Sequence, residues 1–255
     1  MRNRRWTYMA VWTAVLALSI TMTTACSDGK AQGGASGTKA GGSSQVDPVT
    51  SDSPSGSQDE EEEPADPALA ALVNKTHPLQ DSYAPDDLVM VEVPTIFQNA
   101  EVNQLRKEAA EALKGLFAGA EKEGYKLYAR SGYRSYETQQ ALFADYVNRE
   151  GEAAANRYSA KAGQSEHQTG LAMDVTSDSV SKGLKEAFGE TDEGRWLAEH
   201  AHQYGFIIRY PEGQEGITGY IYEPWHIRYL GVELATKVFD SGLTYEEYAN
   251  GNQAP

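Results

Sequence analysis

The chain has 255 residues, 40% hydrophobic and 23% charged, with 22 basic side chains against 37 acidic ones and a formal charge of −15. That length and balance allow one compact domain with appendages and exclude two full domains. The acidic surplus leaves no basic patch to neutralise phosphates, so nucleic acid is not an expected partner.

Arg2, Arg4 and Arg5 precede an apolar run from Met9 to about Ile20, and small residues then lead to Ala25-Cys26. Residues 1–25 read as a secretory signal, because the run is too short for a comfortable membrane span. Cys26 is the only cysteine, so no intramolecular disulfide is expected. Thr23-Thr24-Ala25-Cys26 has the outline of a bacterial lipobox, with Thr23 where leucine is usual. Cys26 is therefore the expected lipidation site of a protein anchored outside the cytoplasm to the bacterial cell membrane. Residues 26–71, with Gly41-Gly42-Ser43-Ser44 and the acidic run Asp59 to Glu63, cannot bury enough apolar surface to fold and read as a flexible tether. Removing the signal's three arginines leaves 19 basic residues against 37 acidic, a formal −18. A site for an anionic peptide terminus must then concentrate positive charge locally.

The domain proper is expected over residues 72–255. Leu88 to Val91 suggests a strand, and Asn103 to Phe117 an amphipathic helix with Leu105, Ala109, Ala112, Leu113 and Leu116 on one face. A strand from Leu127 to Ser131 delivers Gly132-Tyr133-Arg134-Ser135 to a turn, where Ser135 can cap a helix from Tyr136 to Asn148. Ala153 to Ala162 reads as helix ended by Gly163. Leu171-Ala172-Met173 reads as a short strand carrying Asp174 into the core, where a carboxylate is costly unless something positive binds it. A helix from Gly194 to Tyr204 follows. Phe206–Tyr210 and Thr218–Tyr222 then read as a hairpin, and Leu230–Asp240 as a last long helix before the segment Tyr245–Asn250. The class is α+β, a small antiparallel sheet with helices packed against it, and a monomer is expected.

The chemistry concentrates in Ser165-Glu166-His167-Gln168-Thr169-Gly170-Leu171-Ala172-Met173-Asp174. Residues seven apart on a regular strand point to opposite faces, so His167 and Asp174 meet at one ion only if Thr169-Gly170 turns the backbone. Alone, the pair reads more readily as a strand cap and a surface acid than as a metal site. Glu223-Pro224-Trp225-His226 offers a third donor with a carboxylate nearby, and Pro224 argues for a loop or strand end. Catalytic zinc commonly takes three protein ligands. His167, Asp174 and His226 are the expected ligands and Glu223 the expected base. His200 and His202, two apart on a helix, do not share a face and are assigned to core edge and surface; His77 is a loop residue.

These residues resemble the VanY-type D-alanyl-D-alanine carboxypeptidases, relatives of the VanX dipeptidases. The resemblance also takes in Val73-Asn74-Lys75, His77-Pro78-Leu79, Ser131 to Ser135 with Gln139-Gln140, Gly205 to Pro211, and Arg228-Tyr229, in one order from Leu72 to Gly231. It implies a hedgehog-like fold, zinc, and removal of the C-terminal D-alanine from peptidoglycan stem peptides. It also implies that Arg134 holds the scissile carbonyl oxygen and Ser165 hydrogen-bonds substrate; otherwise these are a surface ion-pair partner and a turn serine. Gln140 either lines the pocket or faces solvent. Two alternatives stay open: an L,D-carboxypeptidase or endopeptidase acting on the same peptides, and a non-catalytic wall- or metal-binding lipoprotein. The last would not need Glu223 and Arg134 together.

Overall fold

The computed structural model describes residues 68–251. The signal, Cys26 and the tether up to residue 67 lie outside the described residues. β1 (Leu88–Met90) pairs antiparallel with β2 (Gln104–Arg106), which runs directly into α1 (Lys107–Lys122). The helix expected from Asn103 thus starts four residues later. Leu105 suits a helical stripe, but it is equally buried on a strand whose backbone pairs with Val89. α1 packs Ala109, Leu113, Leu116 and Ala120 into the core along one face.

β3 (Leu127–Ser131) follows, then α2 (Tyr136–Glu150), whose Ser135 hydroxyl accepts the Thr138 backbone N–H at 3.2 Å, as expected of a cap. α3 spans only Glu152–Ala155, so the helix expected over 153–162 is a correction. The carbonyls that would extend it are taken elsewhere: Asn156 O accepts from Lys75 Nζ, and Arg157 O from the Ile221 N–H. β4 (Ala172–Ser177) is longer than expected. α4 (Asp192–His200) continues as a tighter 3₁₀ turn to Tyr204 and leads into β5 (Phe206–Tyr210).

The expected second hairpin strand is also corrected. Residues 215–218 form the short α5 (Glu215–Thr218), and the Thr218 hydroxyl accepts the Tyr220 N–H, removing it from any ladder. The partner of β5 is instead β6 (Glu223–Tyr229), which begins where the expected strand ended. Pro224 is tolerated because β4 pairs only from His226 onward and the β5 register shifts beside it. α6 (Val232–Ser241) and α7 (Tyr245–Ala249) close the described chain. Thr244 and Glu247 form a capping box on α7.

The sheet runs β3-β4-β6-β5, antiparallel throughout. Alternation divides its two faces. Met173, Val175, Trp225, Ile227 and Phe206 join α1 and α4 in the main core. Asp174, His226, Arg228 and Arg209 lie on the other face, fully or nearly fully buried. The α+β architecture matches the expectation, with the polar face of the sheet carrying the chemistry. Among the described residues no helix is long and apolar enough to cross a membrane.

Candidate active site

The register pairs Asp174 on β4 directly with His226 on β6, so two chain-distant donors become neighbours through the strand ladder. The third arrives by a turn. Glu166–Thr169 is one 3₁₀ turn ended by Gly170 at φ +68°, a conformation glycine adopts without steric penalty, and β4 starts two residues later. His167 Nδ1 donates to the Gly132 carbonyl at 2.7 Å, which leaves Nε2 as the free donor atom, 3.6 Å from Asp174 Oδ1. Gly132 is required there, since a Cβ would lie 2.4 Å from the Gln104 carbonyl.

His226 Nδ1 lies 3.2 Å from the same Asp174 oxygen, and the donor atoms of His167, Asp174 and His226 all fall within 4.8 Å of one another. Two imidazole nitrogens and one carboxylate oxygen, all desolvated, fit a divalent ion of the zinc type. Burial drives His167 down to about 3, helped by the Arg134 charge, so its imidazole is neutral and able to ligate. Burial raises Asp174, but His167, His226 and Arg134 outweigh it and hold the carboxyl below its usual range. Burial would lower His226 too; hydrogen bonds to Asp174 and Glu166 outweigh it and hold the ring up to about 9. The same negative field would draw a metal cation.

Glu223 Oε2 is 3.9 Å from His226 Nδ1, and burial pushes its carboxyl up to about 8, close to neutrality, where a proton carrier works best. It borders a cavity of about 380 Å³ with Arg134, Ser165, His167, Asp174 and His226, walled by Tyr210 and Tyr220. Arg134 donates to Gln139 Oε1 at 2.5 Å and to Ser131 Oγ at 2.9 Å. Those two acceptors fix the guanidinium within the cavity wall.

Ser165 is buried at the cavity and accepts the His167 N–H at 3.3 Å. Gln140 is corrected: it is exposed on α2 and absent from the cavity, whereas its neighbour Gln139 is fully buried and holds Arg134. His200 stacks on Trp196 and His202 on Phe239, away from the donor cluster. His77 lies in a loop against Asn74.

Sequence reasoning passed over Glu166, Arg209 and Arg228. Glu166 is fully buried beside His226 and receives both guanidinium groups at 2.7 Å. A signal was available: Phe206 to Tyr210 and Trp225 to Tyr229 each set an arginine inside an apolar strand, and a buried cation demands a carboxylate.

Comparison with known proteins bears on this geometry. Residues 102–232 match the VanY family model, described as D-alanyl-D-alanine carboxypeptidase. YodJ of Bacillus subtilis (strain 168), a carboxypeptidase by provisional name, is 50% identical over 181 residues, covering 71% of this chain. The match spans 66% of YodJ's own length, just short of two thirds. The solved LdcB LD-carboxypeptidase aligns with a TM-score of 0.69 at 50% identity, covering 71% of this chain and 86% of that one. A mutant of the vancomycin-resistance D,D-pentapeptidase VanY, solved with Zn(II), aligns at 0.59 and 34% identity, covering 72% and 99%.

Proposed function

The chain belongs to the VanY family of D-alanyl-D-alanine carboxypeptidases, and from that premise we propose that it is a zinc-dependent carboxypeptidase releasing the C-terminal D-alanine of peptidoglycan stem peptides. The observation that carries the reading is the convergence of His167, Asp174 and His226 within 4.8 Å, with Glu223 at its edge in an open cavity. His167 and His226 would hold the ion through Nε2 and Nδ1, and Asp174 through Oδ1. A bound zinc ion supplies Lewis acidity to the scissile carbonyl and to water.

The remaining steps belong to side chains of this chain. Glu223 takes a proton from the attacking water and passes it to the departing amine; one water is consumed and the terminal peptide C–N bond breaks. Arg134, held by Gln139 and Ser131, faces the carbonyl oxygen as it gains charge. Ser165 and the Tyr210 and Tyr220 walls orient the peptide.

The residue before the released D-alanine separates two readings. The sequence-based expectation is a D-residue, the substrate of D,D-enzymes. The higher likeness to LdcB, 50% identity against 34% for the D,D-pentapeptidase, favours an L-centre and hence a tetrapeptide. Incubating the protein with defined tetra- and pentapeptide stems, with and without chelator, tests both. D-alanine release from the tetrapeptide that chelator stops and zinc restores is the expected result. Release that survives chelation would overturn the metal-dependent reading, and release from pentapeptide alone would return the D,D assignment.

The anchor belongs to the same proposal. Lipid on Cys26 would hold the catalytic domain outside the membrane, with the acidic tether reaching into the wall. Mass spectrometry of the mature protein is expected to find an acylated Cys26 at its N-terminus; an unmodified terminus beyond Cys26 would remove the anchor.

A further inference from the structure

Resting on the metal reading above, we propose that Glu166 is a positioning residue. It turns the His226 ring so that Nδ1 faces the His167 and Asp174 donors that would hold the ion, and two buried arginines hold Glu166 in place.

The argument begins with a carboxylate that has no access to water. Glu166 sits on the 3₁₀ turn beside His167, fully buried, where an unpaired anion would be strongly unfavourable. Its Oε1 accepts from Arg209 Nε and Arg228 Nη1, each at 2.7 Å. Its Oε2 lies 3.3 Å from His226 Nε2. An Nε2–H directed at Glu166 leaves the Nδ1 lone pair for the donor cluster, where Asp174 Oδ1 is 3.2 Å away. A flipped ring would set a C–H against the carboxylate and lose that bond.

The arginines cannot move aside. The terminal nitrogens of Arg209 form a two-pronged pair with Glu246 on α7, at 2.7 and 2.5 Å. Arg228 Nη2 donates to the Leu69 and Ala71 carbonyls, both at 2.9 Å. A purely structural ion cluster could satisfy both arginines without touching a ligand ring. Here one carboxylate oxygen is directed at His226. The contacts therefore tie α7 and residues 69–71 to the orientation of a metal ligand.

Zinc affinity by chelator competition, measured with thermal stability on the full chain, tests the role. Glu166→Gln is expected to weaken zinc about 10- to 100-fold, the loss typical of a partner behind a metal-bound histidine. Glu246→Gln leaves both Glu166–arginine contacts in place, so it is expected to lower stability and keep zinc affinity near wild type. Equal zinc affinity in Glu166→Gln and wild type would overturn the role, as would affinity losses in the two variants that simply track stability. If Glu166→Gln fails to fold, nitrogen-15 histidine NMR of the zinc-loaded wild type decides. A protonated Nε2 on His226 supports the assignment, and a metal-bound Nε2 overturns it. Wild type that takes up no zinc would overturn the metal reading itself, and this role with it.

Discussion

Glu223→Ala is expected to retain zinc binding and to lower turnover of stem peptides by roughly 10²- to 10⁴-fold, the range that general acid–base catalysis supplies. Glu223 contributes no atom to the cluster of three donors; its Oε2 lies 3.9 Å from His226 Nδ1. Removing it should leave the ligands in place and strand the reaction without a proton carrier. D-alanine release together with bound-zinc stoichiometry checks this, and near-normal turnover would refute the assigned base. Glu223→Gln adds a second readout in the metal-free protein. Burial holds the Glu223 carboxyl at about 8 against an ordinary 4.5. The folded state therefore binds the proton more tightly than the unfolded state. Its stability contribution is full below the unfolded value and is lost as pH rises toward 8. Relative to Glu223→Gln, metal-free wild type is thus expected to lose thermal stability between about pH 5 and pH 8. Parallel pH profiles for the two proteins would mean that Glu223 is not held in a desolvated site.

The donor cluster was legible because its local signals stand within a longer series of motifs in one order from Leu72 to Gly231. Those signals, a histidine, a turn-forming glycine and an acid in one stretch and then a second histidine beyond a proline, are ambiguous alone. Short apolar runs also located β3 and β5, and Ser135 announced its helix. Three features depended on contacts that no local pattern encodes. Whether Gln139 or Gln140 faces Arg134 depends on the phase of α2 relative to the cavity, and the two differ by about 100° around a helix. Helix over 156–162 was lost because Lys75 and Ile221, distant in sequence, capture its carbonyls. The hairpin was displaced by one strand because Tyr220 and Tyr222 alternate as strand residues do, while the Thr218 hydroxyl holds the backbone in a turn. The lost helix follows from tertiary hydrogen bonds and the displaced strand from a side-chain turn, each overriding a local preference.

Asp174→Ala should weaken zinc binding by more than the about 10- to 100-fold loss typical of outer-shell partners, and should abolish D-alanine release when zinc is scarce. Asp174 is the shared member of the cluster, with Oδ1 3.6 Å from His167 Nε2 and 3.2 Å from His226 Nδ1, and it is the only anion among the three donors. Without it, two imidazoles on separate elements are left with no negative charge to balance a dication. Asp174→Asn separates charge from shape, because the amide can still bond His226 and fill the same volume. Its metal-free form should lose some stability at neutral pH, since His167, His226 and Arg134 hold the folded carboxylate below its usual range, while its zinc affinity should fall with that of the alanine variant. Chelator competition and thermal melts on both variants make the distinction. If Asp174 were no more than a strand residue satisfied by two histidines, the alanine variant would instead lose stability and keep its metal.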